Sequence, residues 1–360
     1  MFANNSACQN GYLPQRAPEY PSLVISTCNP SKLQLAKFQR SRTMVVQTGL
    51  TMTTPDATTK SPELVSRSDL KKRAIPHMVL SDGSEVSLTP APVAAPDLDS
   101  AVSATRRFTV TGNAIVTGGA GALGFAACVA LLEHGLQGLM IFDVNLTQSS
   151  EQVTALKTRF PSTSIHVLQV DVTDEAAVSS AVEWTARTLG SIEHLLCFVG
   201  IVGCVNAIDM SVSQWRKILD VNLTGSFLCA QAVAKRMIQQ GKGGSIIFTA
   251  SISAHRVNYP QPQAAYNVSK SALLMLKSCL AAEWARWGIR TNTISPGYMD
   301  TILNEGDGIA EARQSWCERN PSGRMGVPSE LTSTVVMLSS RGATYINGTD
   351  IVVDGGGIVF

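Results

Sequence analysis

The fold is decided by the stretch NAIVTGGAGALGFAACVALLEHG, residues 113–135. A short apolar run ends in glycine, a cluster of glycines follows, and the chain then continues with apolar residues at helical spacing. A strand that turns into a helix through glycines is the opening of a βαβ unit. Downstream the pattern repeats in kind: GLMIFDV, a helix-like segment through Lys157, SIHVLQVDV, EAAVSSAVEWTARTLG and HLLCFVG. A long helical region runs from Ser211 to Gln240 and leads into GGSIIFTAS. A further helix, RTNTISPG, a helix from Glu330 and a last strand, DIVVDGG, close the series. Short apolar runs alternating with helices predict right-handed crossovers and a parallel sheet covered on both faces. The expected fold is α/β, a single doubly wound domain over residues 108–360, with no internal repeat.

Upstream of about residue 105 the composition changes. Residues 1–107 are rich in Ser, Thr and Pro, and TPAPVAAPDLDS (89–100) reads as an extended linker. Residues 1–55 hold one acid, Glu19, against Arg16, Lys32, Lys37, Arg40 and Arg42. That makeup fits a mitochondrial transit peptide. It fits equally a plain unstructured tail, or a start codon placed ahead of Met44 or Met52. The two locations to weigh are thus the cytoplasm and the mitochondrial matrix.

Bulk properties exclude several classes. Across 360 residues, 44% hydrophobic and 16% charged, the chain can bury a sizeable core, and a net charge of +2 points to neither nucleic acid nor an anionic membrane as partner. No apolar run approaches the roughly 20 residues that a spanning helix needs. Eight cysteines are scattered without a CxxC pair, several inside apolar stretches, so they read as small buried hydrophobes in a reducing compartment. Five histidines show no ligand spacing, and no metal site is expected.

The turn TGGAGALG (117–124) follows a strand and opens a helix, the setting in which backbone N–H groups and a helix N-terminus cradle a pyrophosphate. Asp143 ends the second strand, 19 residues after Gly124, where a carboxylate accepts hydrogen bonds from ribose hydroxyls and repels a 2′-phosphate. No Arg or Lys follows in DVNLTQ, so NAD is expected in preference to NADP. Asp171, in VDV (170–172), is placed to reach the adenine amino group.

A second stretch, YPQPQAAYNVSK (259–270), carries the chemistry. Tyr266 and Lys270 are four apart on a helix and share one face. A tyrosine with an ordinary pKa of about 10 needs a shift of about 3 pH units to act as a base near neutrality. A neighbouring ammonium supplies part of that, and the positive ring of an oxidised nicotinamide more. The pair suits a general acid/base that takes a hydroxyl proton while hydride leaves the same carbon.

TGxxx[GA]xG, Asn222 in DVNLTG, a serine after the fifth strand, YNVSK and SPGYMDT stand in order over about 110–357. Together they resemble the classical short-chain dehydrogenase/reductase family, nearest its D-arabinitol dehydrogenase, mannitol dehydrogenase and sorbose reductase members. The resemblance implies a catalytic set of Asn222, Ser251, Tyr266 and Lys270: Tyr as acid/base, Lys lowering its pKa and binding ribose, Ser holding the substrate oxygen, Asn placing a water. Ser253 is the alternative serine, 13 residues before Tyr266 where Ser251 is 15 before it. The resemblance also implies cofactor contacts at Gly118, Gly119, Gly121, Leu123, Gly124, Asp143, Asp171, Val172, Gly200, Tyr266, Lys270, Pro296, Gly297 and Thr301. Two departures stand out. Ala122 replaces the usual middle glycine of the turn, which requires a backbone without positive φ there, and CFVG (197–200) replaces NNAG, keeping only Gly200.

The resemblance implies a small-molecule partner, a polyol and its ketose. His255, Arg256 and Asn258 lie in the loop expected to line the pocket, either binding sugar hydroxyls or simply exposed, and residues 298–325 read as a flap. Rival readings are a reductase of a less polar carbonyl, such as a 3-oxoacyl thioester or a secondary-metabolite ketone, and a non-catalytic NAD-binding scaffold or sensor. Wide apolar stripes on 211–240 and 265–287 predict a homo-oligomer, dimer or tetramer.

Overall fold

Seven parallel strands form one sheet in the order β3-β2-β1-β4-β5-β6-β7. The computed structural model describes residues 71–72, 74–92, 99–147 and 150–360. The basic segment read as a transit peptide therefore lies outside the described residues. The strands are β1 Asn113–Thr117, β2 Gly138–Asp143, β3 Ser164–Gln169, β4 His194–Cys197, β5 Gly244–Thr249, β6 Ile289–Pro296 and β7 Asp350–Val353. They alternate with helices α2 Ala122–Glu133, α3 Ser150–Arg159, α4 Glu175–Leu189, α5 Val212–Leu219, α6 Gly225–Gln240, α7 Ala264–Trp284, α8 Ala310–Glu318 and α9 Thr332–Ser339. Helix α1, Ser100–Arg107, precedes them, directly after the stretch read as linker. Asp99 accepts hydrogen bonds from the N–H groups of Ala101 and Val102, and Arg106 and Arg107 sit in the last turn, which is enough for a short surface helix.

Because successive strand residues point to opposite faces, the continuous apolar runs divide between two cores. Ile115, Met140 and Phe142 face one core with Val182, Val233 and Leu273. Ala114, Val116, Leu139 and Ile141 face the other with Leu131, Val335 and Leu338. Phe142 and Leu131 are almost fully buried, and truncating either to Ala is worth about 2–5 kcal/mol. The strand order reverses between β1 and β4, so the crevice beyond their carboxyl ends is where such a sheet takes a ligand.

The region expected as one helix from Ser211 to Gln240 is broken. Its centre, Asp220–Thr224, is a π-helical turn between α5 and α6, and Asn222 lies inside it, fully buried. Periodicity cannot reveal one turn widened to aim a side chain inward. Likewise the helix expected from Glu330 begins as a 3-10 turn over Pro328–Leu331 before α9.

Candidate active site

Two glycines make the β1–α2 turn sterically possible. Gly118 has φ +65°, and a Cβ there would stand 2.8 Å from the Val199 nitrogen. At Gly124 a Cβ would stand 2.3 Å from the Gly118 carbonyl oxygen, so nothing larger fits. Gly119 is buried beneath the turn, whereas Gly121 and Ala122 are exposed and Leu123 is half-buried. Ala122 is the first residue of α2, which gives it the helical backbone that alanine accepts. No side chain caps that N-terminus and no acid lies in its first turn, leaving N–H groups and a positive helix end for an anion. These features fit the pyrophosphate of a dinucleotide. Beside them the Asp143 carboxylate accepts hydrogen bonds from Ala120 N–H (3.2 Å) and Asn145 N–H (3.1 Å), which holds it at the edge of the turn.

The chemistry-bearing side chains converge where β4, β5 and α7 meet. Ser251, just past β5, stands near enough to the Tyr266 phenol to favour its ionised form, and its hydroxyl donates to Ser253 Oγ at 3.0 Å. The two serines thus sit in series, with Ser251 at the phenol. Lys270 lies one turn along α7, its Nζ 5.7 Å from the centre of the Tyr266 ring and donating to the Thr249 carbonyl at 2.7 Å. Burial pulls the Lys270 pKa down to about 8, against a smaller opposing effect of Cys197. Burial also pushes the Tyr266 phenol above its ordinary value, and Ser251 opposes it.

In the protein without cofactor, burial, opposed by Ser251, sets the direction of the phenol's shift. The ammonium lies over the ring face and binds a carbonyl, and removing both groups from water favours their neutral forms. Asn222 is also more committed than the resemblance implies. Its Oδ1 accepts from Ile201 N–H (2.8 Å), and its Nδ2 donates to the Ile201 carbonyl (2.9 Å) and Ser269 Oγ (3.0 Å). Every polar site on the amide but one lone pair is spent on protein, which ties the loop after β4 to α7. Gly200 sits against this group: a Cβ on it would stand 3.3 Å from Lys270 Nζ and 3.5 Å from Asn222 Oδ1.

The remaining expected residues divide. Asp171 turns its carboxylate back onto Thr173, accepting from both its N–H and hydroxyl, which holds its pKa low. The Val172 side chain is core and packs where a Cβ on Gly225 would fall, so any contact to a ligand comes from its backbone. Pro296 ends β6, and Gly297 donates its N–H to the Val353 carbonyl with no room for a Cβ against Asp354. Thr301 precedes a 3-10 turn and is half-buried. His255 is not free to line a pocket. It bonds Asp350 (2.9 Å) and Ser295 (3.3 Å), because the loop after β5 folds back onto β6 and β7. Arg256 donates to the Phe360 carbonyl, and Asn258 donates to the Tyr298 hydroxyl.

Several partners escaped the sequence reading: the Ile201 main chain, the Thr249 carbonyl, Ser269 and Asn267. Asn267 donates to the carbonyls of Ser253 (2.9 Å) and Arg256 (3.0 Å), stapling the serine loop to α7. It follows Tyr266 directly in YNVSK, the one signal that pointed to it. Tyr298, Gln261 and Trp316 also went unassigned. They form one wall, with Tyr298 stacked on Trp316 at 4.1 Å.

A sequence model described as enoyl-(acyl carrier protein) reductase matches residues 118–357. The chain is 35% identical to a probable NADP-dependent mannitol dehydrogenase of Yarrowia lipolytica, over 75% of this chain and 95% of that protein. It is equally 35% identical to a sorbose reductase of Candida albicans, with the same coverage of both chains. The crystal structure of a short-chain type dehydrogenase/reductase from Mycobacterium marinum superposes with a TM-score of 0.67 at 34% identity, over 71% of this chain and 98% of that one. The chain belongs to the short-chain dehydrogenase/reductase family and is an oxidoreductase that acts on a CH–OH group with a nicotinamide dinucleotide.

Proposed function

We propose that the protein interconverts a polyol and its ketose, with Tyr266 as the acid/base. The observation that carries the assignment is the buried Lys270 ammonium over the Tyr266 ring, 5.7 Å from its centre and anchored on the Thr249 carbonyl, with Ser251 beside the phenol. The names of the mannitol and sorbose relatives support the substrate class, as does a wall of amide and hydroxyl groups from Asn258, Gln261 and Tyr298.

In the oxidising direction Tyr266 accepts the alcohol proton at its phenolic oxygen, and in the reducing direction it returns that proton to the carbonyl oxygen. Ser251 holds the same substrate oxygen and favours the phenolate. The nicotinamide, when bound, accepts or supplies the hydride at that carbon. With its pKa raised by burial, Tyr266 carries its proton at neutral pH, the form that carbonyl reduction needs. Lys270 offers an ammonium below about pH 8, and Asn222 braces the loop that carries Gly200. The exposed Gly121 and Ala122 and the α2 N-terminus would hold the pyrophosphate, and Lys270 the nicotinamide ribose.

We infer NAD in preference to NADP, because the Asp143 carboxylate stands at the adenosine end with no cation following it in the chain. The name of the Yarrowia relative points the other way for that protein. We place catalysis in residues 108–360, with residues 1–107 as an extension, and read the protein as cytoplasmic and homo-oligomeric. Exposed Val212, Trp215, Val268 and Met275 on α5 and α7 support a subunit contact. Among the described residues no helix is long and apolar enough to cross a membrane, and no cluster could hold a metal.

The test follows nicotinamide absorbance with NAD and NADP across pentitols and hexitols, and with reduced cofactor and a 3-oxoacyl ester. Polyol-dependent reduction of cofactor that Tyr266→Phe abolishes is the expected result. Turnover of the 3-oxoacyl ester alone would overturn the substrate class. Cofactor binding without any turnover would favour the sensor.

A further inference from the structure

One wall of the site is more ordered than substrate exclusion requires. Trp316, on α8, stacks on the Tyr298 ring at 4.1 Å and 5°, so the Tyr298 hydroxyl cannot swing. The Trp316 indole N–H can only donate, and it donates to Gln261 Oε1 at 3.1 Å. That fixes the Gln261 amide, whose Nε2 must then face the Tyr298 oxygen, at 3.1 Å. Asn258 Nδ2 donates to the same oxygen at 2.9 Å. With two donors on its oxygen, the Tyr298 hydroxyl keeps its proton free, and no described residue accepts it. Asn258 Oδ1 is buried and also without a partner.

A half-buried phenol donor and a buried amide acceptor lining one recess, both unused, are the complement of an alcohol hydroxyl, which accepts and donates at once. The two residues line a common recess with Ser253, Tyr259 and Trp316, and it has room for about one water-sized group. Arg256 and Arg319 also border it; Arg256 gives one N–H to the Phe360 carbonyl and Arg319 lies over the Tyr259 ring. The recess adjoins the reacting centre through Ser253, which lines it and accepts from the Ser251 hydroxyl at 3.0 Å.

We propose that Tyr298 and Asn258 form a hydroxyl-binding subsite that holds a second oxygen of the substrate, away from the reacting carbon. Trp316 and Gln261 act as positioning residues for it. The proposal rests on the polyol reading and deepens it. A substrate with no hydroxyl beyond the reacting carbon leaves the pair unsatisfied, whereas a ketose fills it.

The experiment compares kcat/KM for D-fructose, L-sorbose and cyclohexanone in the wild-type protein, Tyr298→Phe and Trp316→Phe, with melting temperatures for each. Tyr298→Phe keeps the stacked ring and removes the donor. The expected result is a fall of about tenfold or more in kcat/KM for the ketoses relative to that for cyclohexanone. Trp316→Phe keeps an aromatic partner but releases Gln261, and should raise the ketose KM more than the cyclohexanone KM. Equal losses on all three ketones, or a lower melting temperature with unchanged selectivity, would show a structural water in the recess and overturn the subsite while leaving the polyol reading intact. A wild-type protein that reduces cyclohexanone but no ketose would overturn that reading and the subsite with it.

Discussion

Replacing Lys270 by Met should abolish activity and yet make the protein more stable at pH 7. The ammonium is 4% exposed and its pKa falls from an ordinary 10.5 to about 8 on burial. At about 1.4 kcal/mol per pH unit, that difference means the charged form destabilises the fold by about 3 kcal/mol. Met fills a similar volume without the charge, but it leaves the Thr249 carbonyl unpaired, at a cost of about 1–3 kcal/mol. The net expectation is a gain of about 1 kcal/mol, or about 2–4 °C in melting temperature. The pH dependence discriminates better than the magnitude. Below pH 8 both folded and unfolded wild-type chains hold the proton, and the full penalty applies. Between about 8 and 10.5 only the unfolded chain still holds it, so wild-type stability rises toward that of the variant. Paired urea melts at pH 7, 9 and 10.5, without cofactor, should therefore show the gap shifting toward wild type by about 3 kcal/mol. A gap that stays constant across that range would refute the reasoning, because Lys270 would not be a desolvated ammonium.

Three further outcomes follow from the site. Ser251→Ala removes the hydroxyl that opposes the burial of Tyr266, so the pH profile of alcohol oxidation should move to more alkaline pH, read from initial rates across pH 6–11. Asp143→Ala should raise NADP use relative to NAD, and an unchanged ratio of the two kcat/KM values would remove its assigned role. Gly124→Ala forces a methyl to within 2.3 Å of the Gly118 carbonyl, so cofactor binding measured by calorimetry should be lost or weakened at least about tenfold, with a lower melting temperature.

Much of this was legible in the linear chain. Strand runs such as GLMIFDV are apolar on both faces because a parallel sheet is covered on both sides, so such runs announced themselves, whereas β6, IRTNTISP, is largely polar. The glycine turn and the Tyr266–Lys270 spacing depend on neighbours close in sequence, and local spacing is what a sequence displays. Contacts between distant segments were not legible. The π-helical turn at Asn222 exists because its amide bonds Ile201, 21 residues back, and Ser269, 47 residues ahead. His255 was drawn from the expected pocket by Asp350, 95 residues away.

The sequence by itself determined the α/β architecture, the dinucleotide turn and the phenol–ammonium pair, since each rests on periodicity or on spacing within one element. Tertiary structure alone decided the protonation balance of that pair, the commitment of the Asn222 side chain and the wall built by Tyr298, Trp316 and Gln261. The reason is physical: burial shifts a pKa, and hydrogen bonding spends a donor, only after segments far apart in the chain have closed around them.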